Sequence, residues 1–370
     1  MIEHLYIHIG MSKTATTSLE EYLHINSEAL KKHSFIYPES GRCMANPYAG
    51  KIAHHKLASS LREEPHENVN HHTNLKFEEY VSSIVAESDG YNNVVISSDL
   101  LCHPSVNFNE LKLLKKYFRE ISIVMYLRRA DDLANTCYNF FSYVVHKKDL
   151  QKGDPIYIMD AYKTIFSYAE VFGEEHIIVR PFEREQLKNH SIFSDFLNVL
   201  NIEETNEFQS LSARPNETEK NLFVVEFYWY IRKYFPEYLK ELITPCREYR
   251  VHNVTLESES TWLQSHYSPQ ERIDFISEHA PFYEMIEKRF LNNKKLFIEP
   301  TPSLSEKWHP TPDIPIEVII QMFGILHLQN VKEKNKLTSK LGTQQIQINE
   351  QKKVIDGLIL RVQQLEDTLQ

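Results

Sequence analysis

Short apolar runs alternate with stretches of helical periodicity through the first two hundred residues. Residues 4–10, 93–97, 121–127 and 177–179 are apolar and short, which predicts buried strands; Asp89-Gly90 supplies a turn before the second run. Between them, apolar positions recur every three or four residues over 16–33, 77–87, 110–118, 131–145, 156–171 and 191–200, which predicts helices. Thr17 and Glu20 have the spacing of a capping box at the start of the first helix, with Leu19, Tyr22 and Leu23 on its buried face. Residues 44–75 are polar, histidine-rich and loop-like, with a short helix expected over 53–61. Strands and helices in this alternation predict an α/β fold of three layers, a central and mainly parallel sheet flanked by helices. Ligands of such sheets sit beyond the carboxyl ends of the strands, and Lys13, Asp99 and Arg128 each follow one.

The pattern changes further along. Residues 215–300 are mainly helical and aromatic-rich, and read as a continuation or lid of the same domain, which is then expected to span 1–300. Five prolines between Pro300 and Pro315 mark a connector, followed by a short helix over 316–328, so 301–330 is read as a linker. In 331–370, Leu341, Ile348, Ile355, Val362 and Leu369 fall seven apart, with Leu358 and Leu365 at intervening core positions and the polar Gln344 and Gln351 at two others. This heptad predicts a C-terminal helical coiled coil and self-association, with the oligomeric state open.

Composition narrows the classes. The 370 residues are 42% hydrophobic with 20 Phe and 20 Tyr, ample for a large core. No run approaches the ~20 apolar residues of a membrane span, and the N-terminal sequence lacks a basic region followed by an apolar one. The expectation is a cytoplasmic protein without a membrane span. Cys43, Cys102, Cys137 and Cys246 are scattered, which suits a reducing compartment and argues against a disulfide framework. A net charge of −10 argues against a nucleic-acid partner. Among 18 histidines there are adjacent pairs but no H-E-x-x-H spacing, so no metal is expected.

The chemistry gathers at the end of the first strand, in Gly10-Met-Ser-Lys-Thr-Ala-Thr-Thr-Ser18. A strand running through a hydroxyl-rich loop into a helix is an anion cradle: helix N–H groups point at the ligand and the helix dipole favours negative charge. A Walker-type loop needs Gly-Lys-Ser/Thr directly before its helix, which is missing here. The segment instead resembles the 5′-phosphosulfate loop of sulfotransferases that use PAPS (3′-phosphoadenosine-5′-phosphosulfate), whose pattern is roughly Gly-x-x-Lys-x-Gly-Thr-Thr/Ser. Gly10, Lys13, Thr16 and Thr17 match it. Ala15 stands where that family usually has Gly; if the position needs φ > 0, Ala costs on the order of 1 kcal/mol. A second match follows the 121–127 strand. The family places an Arg at such a strand end and a Ser eight residues later, on the 3′-phosphate of PAPS; here these are Arg128 and Thr136. The Pro often found two residues after the Arg is Ala130. Weaker similarity lies in 178–197 and in Ser212-Ala-Arg-Pro-Asn216, where Arg214 is a candidate phosphate contact.

This resemblance covers about residues 1–300. It implies a P-loop-like fold and transfer of a sulfuryl group from PAPS to a hydroxyl or amine, leaving adenosine 3′,5′-bisphosphate, with no metal. The cofactor-binding set it implies is Gly10, Ser12, Lys13, Thr14, Ala15, Thr16, Thr17, Ser18, Arg128, Thr136 and Arg214. Lys13 is the partner expected for the leaving oxygen. The base is Asp99 or His55, with Asp99 favoured and His55 placed near the acceptor. Related bacterial enzymes often modify sugars, so the acceptor is expected to be a glycan, a glycolipid precursor or a small metabolite. The alternatives are a P-loop kinase of a small hydroxyl substrate and a non-catalytic scaffold oligomerised by the coiled coil.

Overall fold

The computed structural model describes residues 1–44, 51–62, 75–141, 159–211, 234, 265–308 and 316–369. The chain divides into two compact units, Met1–Lys220 with Leu263–Thr311, and Asn221–Trp262 with Pro312–Gln370.

In the first unit the strands are β1 (Ile2–His8), β2 (Phe35–Ile36), β3 (Cys43–Met44), β4 (Lys51–Ala53), β5 (Asn93–Ser97), β6 (Phe118–Leu127) and β7 (Ile177–Pro181). The helices are α1 (Thr16–Ile25), α2 (Ser27–Lys32), α3 (His55–Ser60), α4 (Phe77–Glu87), α5 (Phe108–Leu111), α6 (Ala130–Phe141), α7 (Met159–Phe172), α8 (Ile192–Val199) and α9 (Pro269–Phe290). Five strands form one parallel sheet in the order β2-β5-β1-β6-β7. The chain leaves β1 toward one edge and later returns to build the other, so the switch point lies at β1, where a ligand crevice forms.

Strand periodicity assigns the two faces. Leu5, Ile7, Val94, Ile96, Ile121, Ile123 and Met125 point into a core shared with α3, α4, α6, α7 and α9. Tyr6, Val95, Val124 and Tyr126 point to the opposite face, against α1, α2 and α8. Both faces are covered, which is why these strands read as continuous apolar runs rather than as alternating ones. The fold is therefore the expected three-layer α/β architecture around a parallel sheet.

The differences from the sequence pattern have local causes. The expected helix over 16–33 is two helices, because Asn26 breaks it: its buried amide donates to the carbonyls of Tyr22 and Gln209 and its Oδ1 accepts from Gln209 N–H. The Thr17–Glu20 capping box does not form. Ala15 is the N-cap, and Glu20 is buried and accepts a hydrogen bond from Ser97. The helix expected over 110–118 shrinks to α5 and a 3-10 turn, with Phe118 already in β6. The histidine-rich stretch contains a small antiparallel pair, β3 with β4, before α3. The ends of the helices expected over 131–145 and 156–171 lie outside the described residues, as do most of 215–264.

In the second unit the described element is α10 (Ile316–Leu369), a single helix of 54 residues. The short helix expected over 316–328 and the coiled-coil segment are one continuous element, with no break at 330. No described helix is long and apolar enough to cross a membrane.

Candidate functional site

The loop from Ile9 to Ala15 joins β1 to α1. Gly10, Lys13 and Ala15 all have positive φ, of 55°, 68° and 59°. Gly10 is required on two counts. A Cβ there would meet Thr16 Oγ1 at 3.0 Å and the Asp99 backbone Cα at 3.2 Å, and the conformation itself is left-handed. Ala15 takes up the conformation that glycine usually supplies, at a cost of order 1 kcal/mol. The loop is held from within: Thr14 Oγ1 donates to the Met11 carbonyl at 2.7 Å and Thr16 Oγ1 to the same oxygen at 3.4 Å. Thr14 and Thr16 are buried, so of the hydroxyls expected to contact a cofactor these two are committed to loop geometry. Ser12, Thr17 and Ser18, together with Lys13, keep partial exposure. The first turn of α1 has no intrahelical acceptor for its N–H groups, which is the usual basis of an anion site.

Arg128 closes the cradle from the end of β6. Its Nη1 donates to the Lys13 carbonyl at 2.8 Å, its Nε to Asp132 at 2.6 Å, and its guanidinium lies over the Phe182 ring. Its own carbonyl accepts from the buried Tyr162 hydroxyl. The two cations that the sequence separates by 115 residues thus share one site. Burial pushes the Lys13 amine down to about 8; Asp99 and Cys137 oppose that shift and Arg128 adds to it. Thr136 is buried on α6, next to Cys137. The Cys137 thiol is pushed up to about 11 by burial, with Lys13 and Arg128 close enough to draw it back. Arg214 lies outside the described residues.

Asp99 and His55 are neighbours rather than alternatives. His55 Nε2 stands 3.8 Å from Asp99 Oδ1, and its Nδ1 is 2.7 Å from Ser98 Oγ. Ser98, not Asp99, caps the 3-10 turn that follows β5, which leaves the Asp99 carboxyl to face His55 and the loop. His55 is buried and its pKa is lowered by that burial, against the opposing charge of Asp99, so its imidazole is neutral at pH 7. The other member of the histidine pair is structural: His54 Nδ1 accepts from Ser97 N–H, and Nε2 bonds the Pro38 carbonyl.

Beneath the cradle lies a network that the sequence pattern did not reveal. Ser97 Oγ donates to Glu20 Oε1 at 3.1 Å and lies 2.8 Å from His8 Nδ1, and all three residues are fully buried. The three come from α1, β5 and β1, the elements that carry the site. Burial, reinforced by Asp99, holds the Glu20 carboxyl well above the usual carboxylate range, and burial pushes His8 down to about 3. Burial thus favours the neutral form of both side chains. The available signal was Glu20 on the apolar face of α1, beside Leu19 and Leu23. Among the described residues, no group of three His, Cys, Asp or Glu side chains is arranged to hold a metal ion.

No family model matches the sequence. An uncharacterised protein of Archaeoglobus fulgidus is 25% identical over 233 residues, and the match spans 61% of this chain and 61% of that protein. A sulfotransferase from Alicyclobacillus acidocaldarius is similar in structure at 16% identity and a TM-score of 0.35, over 70% of this chain and 97% of that one. The sulfotransferase domain from the curacin biosynthetic pathway is similar at 11% identity and a TM-score of 0.36, over 58% of this chain and 80% of that domain.

Because Glu20 is buried in its protonated form, Glu20→Gln should be tolerated and Glu20→Ala should cost about 2–3 kcal/mol through the cavity and the lost partner of Ser97. An acid whose folded pKa is raised stabilises the fold fully below its unfolded pKa and loses that contribution as pH rises. Urea denaturation across pH 5 to 8 should therefore show Glu20→Gln gaining stability relative to wild type with rising pH.

Proposed function

We propose that this protein is a sulfotransferase whose β1–α1 loop holds the 5′-phosphosulfate of PAPS and whose Arg128 and Thr136 hold the 3′-phosphate. The carrying observation is the 2.8 Å bond from Arg128 to the Lys13 carbonyl, which joins two cationic strand ends over the start of α1. The loop supports the fit to an anion: Gly10 lets its backbone pack against Thr16 and Asp99, and the first-turn N–H groups of α1 lack intrahelical acceptors. At the second position Arg128 is already paired with Asp132, so a phosphate there has to share or displace that carboxylate.

The kinase reading is weakened by Thr14. In a Walker loop the hydroxyl after the Lys holds Mg²⁺. Here that hydroxyl is buried and donates to Met11, and Lys13 precedes the helix by three residues.

Bound PAPS supplies the sulfuryl group, and the protein supplies position and charge. Lys13 stands in the loop before α1, where its ammonium neutralises charge growing on the leaving phosphate oxygen. Asp99, one-third exposed, takes the proton of the acceptor hydroxyl as oxygen bonds to sulfur. His55, held by Ser98, fixes the Asp99 carboxyl and borders the acceptor. The acceptor is a glycan, a glycolipid precursor or a small metabolite.

Lys13→Ala should abolish transfer while leaving thermal unfolding unchanged. In wild type, nucleotide binding needs the protonated amine, whose pKa in the free protein is about 8. Affinity for adenosine 3′,5′-bisphosphate should be full below pH 8 and fall above it by up to about tenfold per pH unit. Calorimetry from pH 6.5 to 9.5 checks this, and Lys13→Ala should flatten the profile. Asp99→Asn should lower kcat by roughly 10²-fold or more with nucleotide affinity retained, measured with labelled PAPS; a full rate in Asp99→Asn with a dead His55→Ala would transfer the base role to His55.

A further inference from the structure

We infer that α10 pairs with α10 of a second copy of this chain, parallel and in register, as a two-stranded coiled coil. The helix is 54 residues long, about 80 Å, far beyond an ordinary globular helix. Four large apolar residues on one seam of it, Leu337, Leu341, Ile348 and Ile355, are 61%, 65%, 55% and 55% exposed. They continue in the heptad through Leu358, Val362, Leu365 and Leu369. The seam therefore runs from 337 to 369, more than four heptads, enough for a stable coiled coil.

Three features of the sequence select the occupant and its direction. Taking Leu341 as an a position, Ile348, Ile355 and Val362 are β-branched a residues and Leu358 and Leu365 are d residues, the combination that favours parallel pairs. Gln344 and Gln351 also occupy d positions. In a register-matched parallel pair each faces its own copy, where two amides satisfy one another. A slip of one heptad would oppose Gln351 to Leu358, so these polar layers fix the register. The flanking g and e positions are compatible with this pairing. It sets Lys340 against Gln345, Gln347 against Lys352, Val354 against Ile359 and Arg361 against Glu366. No like charges meet, one pair is apolar and one is of opposite charge.

Light scattering of the full-length protein should give twice the chain mass at micromolar concentration. Ile348→Asn with Ile355→Asn should give the chain mass, with adenosine 3′,5′-bisphosphate affinity unchanged if the first unit binds it. In a Cys246→Ser background, whose remaining Cys43, Cys102 and Cys137 are buried, Leu341→Cys should form a covalent dimer on oxidation that the background chain does not form. A monomeric wild type would overturn the proposal and assign the seam to the chain's own first unit. A trimer or tetramer would overturn the two-stranded state. Cross-linking between Leu341→Cys and Leu369→Cys chains, but not between Leu341→Cys chains, would overturn the parallel direction.

Discussion

The site depends on one backbone constraint: within six residues the chain turns left-handed three times, at Gly10, Lys13 and Ala15. Only the first is a glycine. The other two hold roughly 1 kcal/mol of strain each, which persists only where the surroundings over-determine the conformation. They do so here. Two threonine hydroxyls converge on the Met11 carbonyl, Ile9 N–H bonds the Val124 carbonyl, and Arg128 bonds the Lys13 carbonyl. The outcome is a loop whose carbonyls are tied down on the protein side while the start of α1 faces the crevice at the switch point of the sheet.

Charge is layered around that loop. The lower layer is neutral: Glu20 is protonated, and His8 and His54 are deprotonated, each held so by burial and joined through Ser97. A charged carboxylate at Glu20 would oppose any anion above it, so a neutral acid there preserves the field of Lys13 and the helix. The upper layer is partly exposed, with Lys13 and Arg128 beside Asp99 and Asp132. Each cation has an acid within reach. That keeps the crevice from being strongly positive and leaves charge to be exchanged when an anion enters.

The fold was legible in the sequence because a parallel sheet buried on both faces leaves continuous apolar runs, and β5 and β6 were found on that ground. Helix ends and breaks were less legible. The break at Asn26 depends on Gln209, more than 180 residues away, and no local pattern encodes it. Glu20 was misread for a related reason: its spacing from Thr17 fits a cap, but Ala15 turns left-handed and is itself the N-cap, two residues before Thr17, and Glu20 lies in the core. Of the candidate site, Lys13, Arg128 and Asp99 were visible as polar residues at strand ends, and His55 as one of a histidine pair. Their mutual contacts were not, since the 3.8 Å approach of His55 to Asp99 depends on His54 docking the start of α3 on β5.

The most direct measurement is magnesium-free calorimetry of the full-length protein with adenosine 3′,5′-bisphosphate and with adenosine 5′-phosphate. The account predicts that the bisphosphate binds with no added metal, that loss of the 3′-phosphate weakens binding by at least tenfold, and that Arg128→Ala erases this difference. Equal binding of both nucleotides, or binding only of a nucleoside triphosphate with Mg²⁺, would contradict it.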